Sequence, residues 1–490
     1  MNFLAQEDLP LRSQRRLTEI MYSSDDTICA ISTPPGRGAI AVIRCSGKDA
    51  FELAGRIIKL SKNKASLSKQ AANTIHYATI WYDDQVVDKV MVAVFRKPHS
   101  YSGEDTVEIS CHGSPYIQKR ILELLVQQGI RMATAGEFTM RAFLNGKLDL
   151  TQVEAVADLI ASGSAAAHRV AMNQMRGGFT QEIRKLREKL LRFTTLMELE
   201  LDFSEEDVEF ADRKQLIALL NEITGVLVHL RDSFTLGNVL KNGIPVAIVG
   251  KTNAGKSTLL NLLLSEEKAI VSALEGTTRD SIEDVISIRG IHFRLIDTAG
   301  LRQTHDEIEM LGIERTWQKI DQASVILHVL DIDSDLQEAF ELRTRIRTSA
   351  NSEDKRLIIV LNKIDLLSKE ELEQKLNAME QIHGVHETVI AMSAKSGLHL
   401  ALLEQALIIA SGGVSEDEND VIITNVRHFE ALNNALTAMH RATMGLKEGL
   451  PADLLSRDIR ETLYYLGEIT GEITNDEVLG NIFKNFCIGK

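Results

Sequence analysis

Cysteine is scarce in this sequence: four occur in 490 residues, Cys29, Cys45, Cys111 and Cys487, and no two form a CxxC pair. This spacing excludes a disulfide framework and a four-thiolate zinc site. Long hydrophobic runs are missing as well. No stretch of about 18 uninterrupted apolar residues occurs, which excludes a transmembrane helix. The 55 basic residues are outnumbered by 69 acidic ones. The net charge of −14 argues against bulk attraction to nucleic acid but is compatible with a local basic groove.

Proline is also rare, and its placement divides the chain. None of the seven prolines falls between positions 116 and 244. This stretch can therefore form long helices, since an interior proline costs a helix about 3 kcal/mol. Within it, apolar residues recur at three- and four-residue steps and predict one face of an amphipathic helix: Ile183, Leu186, Leu190, Phe193 and Met197.

Hydrophobic residues are plentiful, at 44% of the chain, which is enough for several packed cores. The length predicts roughly two to four domains. Residues 25–142 alternate apolar runs of strand length with a helical pattern near 115–128, which predicts a small α/β domain. Residues 1–24 mix basic and acidic side chains without a continuous apolar core, which argues against a targeting peptide. We interpret them as a flexible extension, or as the result of a start codon assigned upstream of a true start at Met21. We expect a cytoplasmic protein.

The segment 241–412 repeats a pattern of one apolar run followed by polar or helical sequence. This pattern predicts a mostly parallel sheet with helices on both faces. The runs are 246–249, 293–296, 325–330, 357–361 and 388–392. A Gly/Ser-rich, acidic stretch at 411–418 predicts a linker. We expect residues 143–240 and 413–490 to form one helical bundle, into which 241–412 is inserted.

The sequence Gly250-Lys251-Thr252-Asn253-Ala254-Gly255-Lys256-Ser257 matches GxxxxGK[ST] between a predicted strand and a predicted helix. In such a loop, backbone N–H groups and the helix N-terminus bind phosphate. We predict that Lys256 reaches the β- and γ-phosphates and that Ser257 ligates Mg²⁺. The predicted phosphate-binding residues are Asn253, Ala254, Gly255, Lys256, Ser257 and Thr258.

Further motifs indicate which nucleotide is bound. The motif Asn362-Lys363-Ile364-Asp365 follows a predicted strand, and its carboxylate can accept two guanine N–H groups that adenine does not offer. Polar groups left unpaired by the wrong base give large discrimination. Each motif follows a predicted strand, so we predict GTP. A P-loop kinase or ATPase is disfavoured by Asp365. The remaining predicted nucleotide-binding residues are Asp297, Thr298, Ala299 and Gly300, then Ser393, Ala394 and Lys395, and in the loop after the first helix Ser272, Ala273, Leu274, Glu275, Gly276, Thr277 and Thr278.

Catalysis is predicted to be unusual. Many GTPases place a water-orienting glutamine after the sequence Asp297–Gly300, but Leu301 stands there. Another group must then handle the water, and the nearby candidates are Arg302, Asp306, Glu307 and Glu309. Thr278 can close over Mg²⁺, and the Asn253 amide oxygen can bind a monovalent cation near the β–γ bridge. Solvated loop charge is the alternative interpretation for each candidate near the water.

Together these motifs resemble the MnmE (TrmE) family of bacterial tRNA-modification GTPases, from about Asp26 to the last residue. Its other marks here are Thr33-Pro34-Pro35-Gly36-Arg37-Gly38, Gly103-Glu104-Asp105-Thr106-Val107-Glu108, Gly136-Glu137-Phe138, Arg141-Ala142-Phe143-Leu144-Asn145 and Phe486-Cys487-Ile488-Gly489-Lys490. The resemblance implies a multidomain α/β plus all-α protein. Its parts would be an N-terminal α/β domain that binds folate and dimerises, a helical bundle domain, and an inserted Ras-like P-loop GTPase domain.

The resemblance also implies roles for individual residues. Glu309 would orient the water, and K⁺ would take the place of an arginine finger. The implied K⁺ ligands are Asn253, Ser272, Leu274 and Thr277. The implied folate contacts are Arg44, Glu108, Lys147 and Lys490. Cys487 would take part in the modification chemistry, the alternative being a small buried hydrophobe.

The family's activity is modification of the wobble uridine (position 34) of certain tRNAs at carbon 5. It adds a carboxymethylaminomethyl or aminomethyl group with an FAD-containing MnmG-like partner in a heterotetramer or larger assembly. A 5,10-methylene- or 5-formyl-tetrahydrofolate would supply the carbon, and glycine or ammonium the amine. The alternative from another class is an RNA- or ribosome-assembly GTPase switch without covalent chemistry. Folate binding would distinguish the two.

Overall fold

The computed structural model describes residues 26–61, 66–202, 213–267, 284–296, 320–333, 344, 355–380, 387–410, 421–474, 476–484, 486 and 489. These residues form two compact units. The first comprises the described parts of Met1–Ala157, Gln174–Gly225 and Glu430–Lys490. The second comprises those of Asp158–Asn173 and Val226–Phe429.

The first unit begins with a sheet of mostly antiparallel strands. The strands are β1 (Ile28–Ile31), β2 (Ile40–Ser46), β3 (Ile58–Leu60), β4 (Thr74–Tyr82), β5 (Gln85–Phe95), β6 (Thr106–His112) and β7 (Arg131–Met132). Their order is β3-β4-β5-β6-β2-β1-β7, and only β1 and β7 pair in parallel. The helices are α1 (Ala50–Gly55), α2 (Pro115–Gln127) and α3 (Glu137–Leu144), with a 3₁₀ turn at Leu67–Lys69. The α/β fold predicted for this part of the chain is confirmed.

Alternation along these strands decides which side chains enter the core. Ile43 of β2 and Ile109 of β6 lie on one face, where Ile121 and Leu125 of α2 cover them. The residues between them point to the opposite face, because successive strand side chains alternate. Three cysteines share the helix-covered core. Burial raises the pKa of the Cys29 thiol to about 12 and that of Cys111 to about 11, so both are poor nucleophiles.

Long helices follow the sheet, as the proline gap predicts. They are α4 (Leu150–Ala161), α5 (Ala165–Met175), α6 (Gly178–Asp202) and α7 (Arg213–Asn242). The predicted apolar stripe of α6 is buried at Ile183, Leu186, Leu190 and Phe193. Among the described residues, none of the helices is both long and apolar enough to cross a membrane.

The second unit contains a six-stranded sheet. Its elements are β8 (Ile244–Val249), α8 (Lys256–Glu267), β9 (Asp284–Ile288), β10 (Ile291–Leu295), β11 (Val325–Asp331), β12 (Arg356–Asn362), α9 (Lys369–Glu380), β13 (Glu387–Ala391) and α10 (Leu400–Ala410). The order is β13-β12-β11-β8-β10-β9, with all neighbours parallel except β9 and β10. Five predicted strands are confirmed. The antiparallel strand β9, joined to β10 by a turn with positive φ at Arg289 and Gly290, was not predicted.

Both faces of this sheet are covered. Leu259 of α8 and Leu403 of α10 pack on one face, whereas Leu372 and Leu376 of α9 pack on the other. Strand β8 lies between β10 and β11, where the strand order along the sheet changes direction. In open α/β sheets, ligands bind beyond the carboxyl ends of the strands at such a point.

Three more helices close the first unit: α11 (Val426–Glu448), α12 (Ala452–Thr470) and α13 (Asp476–Lys484). Helix α12 packs along α6. Leu479 and Phe483 of α13 and Phe486 pack with Leu150 of α4. Gly489 lies against β1, where the Ser32 hydroxyl donates to its carbonyl at 3.0 Å. Gly489 has φ +103°, and a Cβ there would collide with the Ile31 carbonyl.

Candidate functional site

The loop between β8 and α8 approaches the sheet so closely that it needs glycine. Gly250 has φ +142°, and a Cβ there would collide with the Val329 carbonyl of β11. Gly255 has φ +98°, and a Cβ there would collide with the Asn362 side-chain nitrogen. The loop ends at Lys256, the first residue of α8, whose N-terminus favours anions. The ammonium of Lys256 contacts the carbonyls of Gly250 and Lys251, both at 2.6 Å.

Asn362 ties three loops together. Its side-chain nitrogen donates to the Ala254 carbonyl at 2.9 Å, and its side-chain oxygen accepts from the Ala394 N–H at 2.9 Å. The side chain is buried, with only 3% of the residue exposed. Losing either partner would leave a buried amide atom unpaired, at about 1–3 kcal/mol. The phosphate-binding loop, the loop after β12 and the loop after β13 are therefore held in one arrangement.

The loops that Asn362 joins carry both buried and exposed side chains. Ile364 is buried, but Asp365 and Lys395 are exposed. Ser393 is fully buried and its N–H donates to the Leu398 carbonyl. The carboxylate of Asp365 is thus available to a base placed over these loops. The arrangement brings a glycine-containing loop at a helix N-terminus and an exposed carboxylate to the same edge of the sheet.

Sequence reasoning missed one polar residue at this edge. Asp331 ends β11, and its carboxylate lies 2.5 Å from the Lys363 ammonium. The hydrogen bond from Lys363 holds the pKa of Asp331 below its usual value. Asp331 belongs to none of the motifs considered. However, it follows a buried strand, as the predicted site residues do, and that signal was present in the sequence.

Many predicted site residues lie outside the described part of the chain, and their roles stay predictions. They are Ser272, Ala273, Leu274, Glu275, Gly276, Thr277, Thr278, Asp297, Thr298, Ala299, Gly300, Arg302, Glu309, Cys487 and Lys490. Over the described ranges, no cluster of three or more His, Cys, Asp or Glu side chains is arranged to hold a metal.

Two of the implied folate contacts meet on the N-terminal sheet. Arg44 and Glu108 are cross-strand partners, and their side chains form an ion pair at 2.9 Å. The guanidinium lies 5.0 Å from the Tyr101 ring centre and 5.6 Å from that of Phe138. These aromatic faces stabilise the cation. Tyr101 and Phe138 were not predicted here, because Tyr101 lies in the connection between β5 and β6 and Phe138 lies in α3, and no short-range pattern links either to Arg44.

Lys147 is exposed, and its side chain lies close to Gly103. A Cβ at Gly103 would lie 3.1 Å from the Lys147 side chain and 2.9 Å from that of Asn145. Asn145 donates to the Ser102 carbonyl at 2.8 Å. Since Ser102 adjoins Tyr101, Lys147 lies in the same region of the chain surface as the aromatic contact of Arg44.

Residues in and near the N-terminal motifs form a partly buried ion-pair network. Arg141 contacts Asp26 at 2.5 Å, Glu137 at 3.0 Å and Glu104 at 3.2 Å. Arg131 contacts Asp26 and Glu137, each at 2.6 Å. Burial alone would raise the pKa values of Asp26 and Glu137, but hydrogen bonds from the arginines outweigh it and both pKa values are lowered. Each carboxylate of the network is paired with at least one arginine, which suits a structural role.

A cavity of about 880 Å³ lies beside α2, and its lining includes neither Arg44 nor Glu108. Its apolar lining includes Ile31, Pro35, Leu122, Val126 and Met132. Pockets of about 300–1,000 Å³ commonly hold small molecules. The sequence motif beginning at Thr33 contributes to this wall, a location that the motif itself did not predict.

Comparison with known proteins decides the family. Residues 27–147 match the family described as GTP-binding protein TrmE N-terminus, and residues 150–487 match the MnmE helical domain. The chain belongs to the MnmE family. A relative from Bacteroides fragilis, called tRNA modification GTPase MnmE, is 53% identical over 467 residues, covering 95% of this chain and all of that protein.

Other relatives with the same name agree. The MnmE protein of Parabacteroides distasonis is 54% identical over 468 residues, with 95% of this chain and all of the relative covered. That of Bacteroides thetaiotaomicron is 52% identical over 467 residues with the same coverage. The expected fold class, with a TrmE-type N-terminal domain, a helical domain and a P-loop GTPase domain, is confirmed. So is the expectation of a GTPase of tRNA modification.

Proposed function

We propose that this protein hydrolyses GTP in the cytoplasm to drive modification of the wobble uridine (position 34) at carbon 5 in certain tRNAs. The observation that carries the GTP assignment is the arrangement held by Asn362. It joins a phosphate-binding loop to an exposed Asp365 that suits guanine. The relatives' shared name, over nearly the full chain, supports the tRNA substrate.

For hydrolysis, we propose Mg²⁺ held by Ser257 and Thr278, and K⁺ held by Asn253, Ser272, Leu274 and Thr277. Asn253 is suited to bind a cation because it lies in the loop before α8, where it is exposed and has a left-handed backbone with φ +67°. K⁺ would supply positive charge near the β–γ bridge, where negative charge develops. Glu309 is the proposed residue that orients the water, and Arg302 is a second proposed catalytic residue.

Salt and point variants test this assignment. GTP turnover should be faster in K⁺ than in Na⁺, and Asn253→Ala should remove the difference. Glu309→Ala should lower kcat by roughly 10²–10⁴ with GTP affinity little changed, the range for a positioned acid–base group. Equal rates in the two salts would contradict the K⁺ site, and a parallel loss of GTP binding would make Glu309 structural.

For the one-carbon unit, we propose that a 5,10-methylene- or 5-formyl-tetrahydrofolate binds near Arg44, Glu108, Lys147 and Lys490. Glu108 is partly exposed beyond its contact with Arg44, so it can accept pterin N–H groups, and the lysines suit a carboxylated tail. Cys487 is the proposed thiol of the chemistry. Cys29 and Cys111 are disfavoured because burial raises their pKa values.

We propose a homodimer that works with an FAD-containing MnmG-like partner. The decisive experiment measures tRNA nucleosides by mass spectrometry in a deletion strain carrying wild-type protein, Asp365→Asn or Cys487→Ser. Asp365→Asn should weaken GTP binding, improve xanthosine triphosphate binding and lower modification. Cys487→Ser should remove the modified nucleoside while GTP turnover and melting temperature hold. If the deletion strain keeps the modified nucleoside and purified protein does not bind folate, a GTPase switch without covalent chemistry replaces this function.

A further inference from the structure

A carboxylate without an assigned role lies at the carboxyl edge of the six-stranded sheet, between the loops of the proposed GTP site. Asp331 is the last residue of β11, and its Cα is paired in register with Asn362 of β12. Because β11 lies between β8 and β12, Asp331 stands between the phosphate-binding loop and the loop of Lys363. The Ile332 N–H also donates to the Asn362 carbonyl at 3.0 Å, which fixes the backbone around Asp331.

The two carboxylate oxygens of Asp331 have separate partners. One lies 2.5 Å from the Lys363 ammonium, and the other accepts the Asp333 N–H at 3.2 Å. The Asp331 and Lys363 side chains are about one-third exposed, at 30% and 34%. A short bond between two ions at this degree of exposure holds a geometry more than it adds stability.

Lys363 has a backbone conformation that needs such support. Its φ is +70° and its ψ +32°, a left-handed conformation that a residue with a Cβ rarely adopts. The chain turns there from β12 into the short 3₁₀ helix Ile364–Leu366, which carries Asp365. On one side Asn362 is tied to Ala254 and Ala394. On the other side, the bond to Asp331 fixes the Lys363 side chain.

We propose that Asp331 is a positioning residue of the guanine site. It acts through Lys363, holding the ammonium so that the lysine stem lies along the base and the following turn presents Asp365. The ligand class is guanine nucleotides, GTP and GDP alike, because the contact lies at the base end of the site rather than at the phosphates. This inference rests on the guanine assignment of the proposed function.

The test uses an isosteric variant and a matched control. Asp331→Asn removes the charge, and Asp333→Asn removes the same charge two residues later from a more exposed side chain paired with Lys375. GDP affinity should fall roughly three- to tenfold in Asp331→Asn, the scale of a partly exposed charge-assisted bond. It should stay within about twofold of wild type in Asp333→Asn, where only a surface ion pair is lost. KM for GTP should rise in Asp331→Asn with kcat unchanged, since uniform binding is lost.

A double-mutant cycle tests the route through Lys363. In a Lys363→Met background, adding Asp331→Asn should have no further effect on GDP affinity, because the two side chains act as one unit. A full additional loss in that background would overturn the proposal. So would equal affinities of Asp331→Asn and Asp333→Asn, or a nucleotide-free Asp331→Asn protein that melts well below wild type. Wild-type preference for GDP over ADP is measured in parallel, and its absence would overturn the guanine assignment instead.

Discussion

The two sheets use their polar side chains in opposite ways. At one end of the N-terminal sheet, Arg141 and Arg131 form ion pairs with Asp26, Glu104 and Glu137. At the carboxyl edge of the nucleotide-binding sheet, the buried side chain is a neutral amide. Asn362 satisfies backbone groups of neighbouring loops, and charged groups such as Asp365 stay exposed. At the first sheet the ion pairs join segments of the fold, whereas at the second an exposed carboxylate lies over loops that contacts with Asn362 hold together.

The largest effect is expected from breaking the N-terminal network. Arg141→Met should destabilise the first unit by about 3–5 kcal/mol, because three carboxylates lose a buried partner. Urea unfolding followed by Trp81 fluorescence, in a Trp317→Phe background, measures the loss. Nucleotide affinity should not change. Arg56→Met, which removes only the exposed pair with Glu52, is the control and should shift stability by less than about 0.5 kcal/mol.

In the nucleotide-binding sheet, the matching substitution is Gly255→Ala, which disrupts the loop between β8 and α8. The added Cβ meets the Asn362 side chain, and the backbone is left-handed there. GDP affinity should fall about 100-fold, near 3 kcal/mol, since the loop must leave its arrangement. Gly225→Ala is the control because a Cβ at Gly225 meets nothing within 4 Å. A Gly255→Ala protein that binds GDP normally would contradict the close packing of the loop.

Lowering the pH should weaken the ion-pair network of the first unit, with a smaller effect than either substitution. The pKa values of Asp26 and Glu137 are lowered in the fold from ordinary values of 3.8 and 4.5. Their contribution is therefore complete above about pH 4.5 and is lost as the pH falls through the lowered values. Trp81 fluorescence in the Trp317→Phe background should show weaker stability in urea at pH 3.5 than at pH 6. Arg141→Met should show a flatter dependence, and an unchanged slope would contradict the network.

The smallest expected effect is a gain. Gly480 lies inside α13, and a Cβ there meets nothing within 4 Å. Gly480→Ala should raise stability by up to about 1 kcal/mol, since alanine favours helix more than glycine does.

Gly136→Ala is the contrasting substitution and should lower stability by about 1–3 kcal/mol. Gly136 has φ +68°, and its added Cβ would lie 2.9 Å from the Phe486 side chain. Thermal melting of both variants decides, and a loss in Gly480→Ala would mean that α13 is packed more tightly.

The sequence predicted what is local and missed what is not. Strands β8, β11 and β12 were found because buried parallel strands are nearly continuous apolar runs. Strands β9 and β10 both alternate in burial, and of these two only β10 was predicted. The network of Arg141 was not predicted, since Arg141 and Asp26 are 115 positions apart and no periodicity links them. Asp331 was missed because its partner, Lys363, is distant in sequence and follows a different strand. The roles of Glu309 and Cys487 stay predictions.

The contact between Ser32 and Gly489 has a consequence for the order of folding. The two residues are 457 positions apart, and the whole nucleotide-binding unit is synthesised between them. A ribosome delivers residues in order, so that unit can fold while the first unit still lacks its last helices. Closing β1 against Gly489 must wait until both are made. Contacts of such separation slow folding, so the first unit is the part of this chain that depends longest on protection from misassembly.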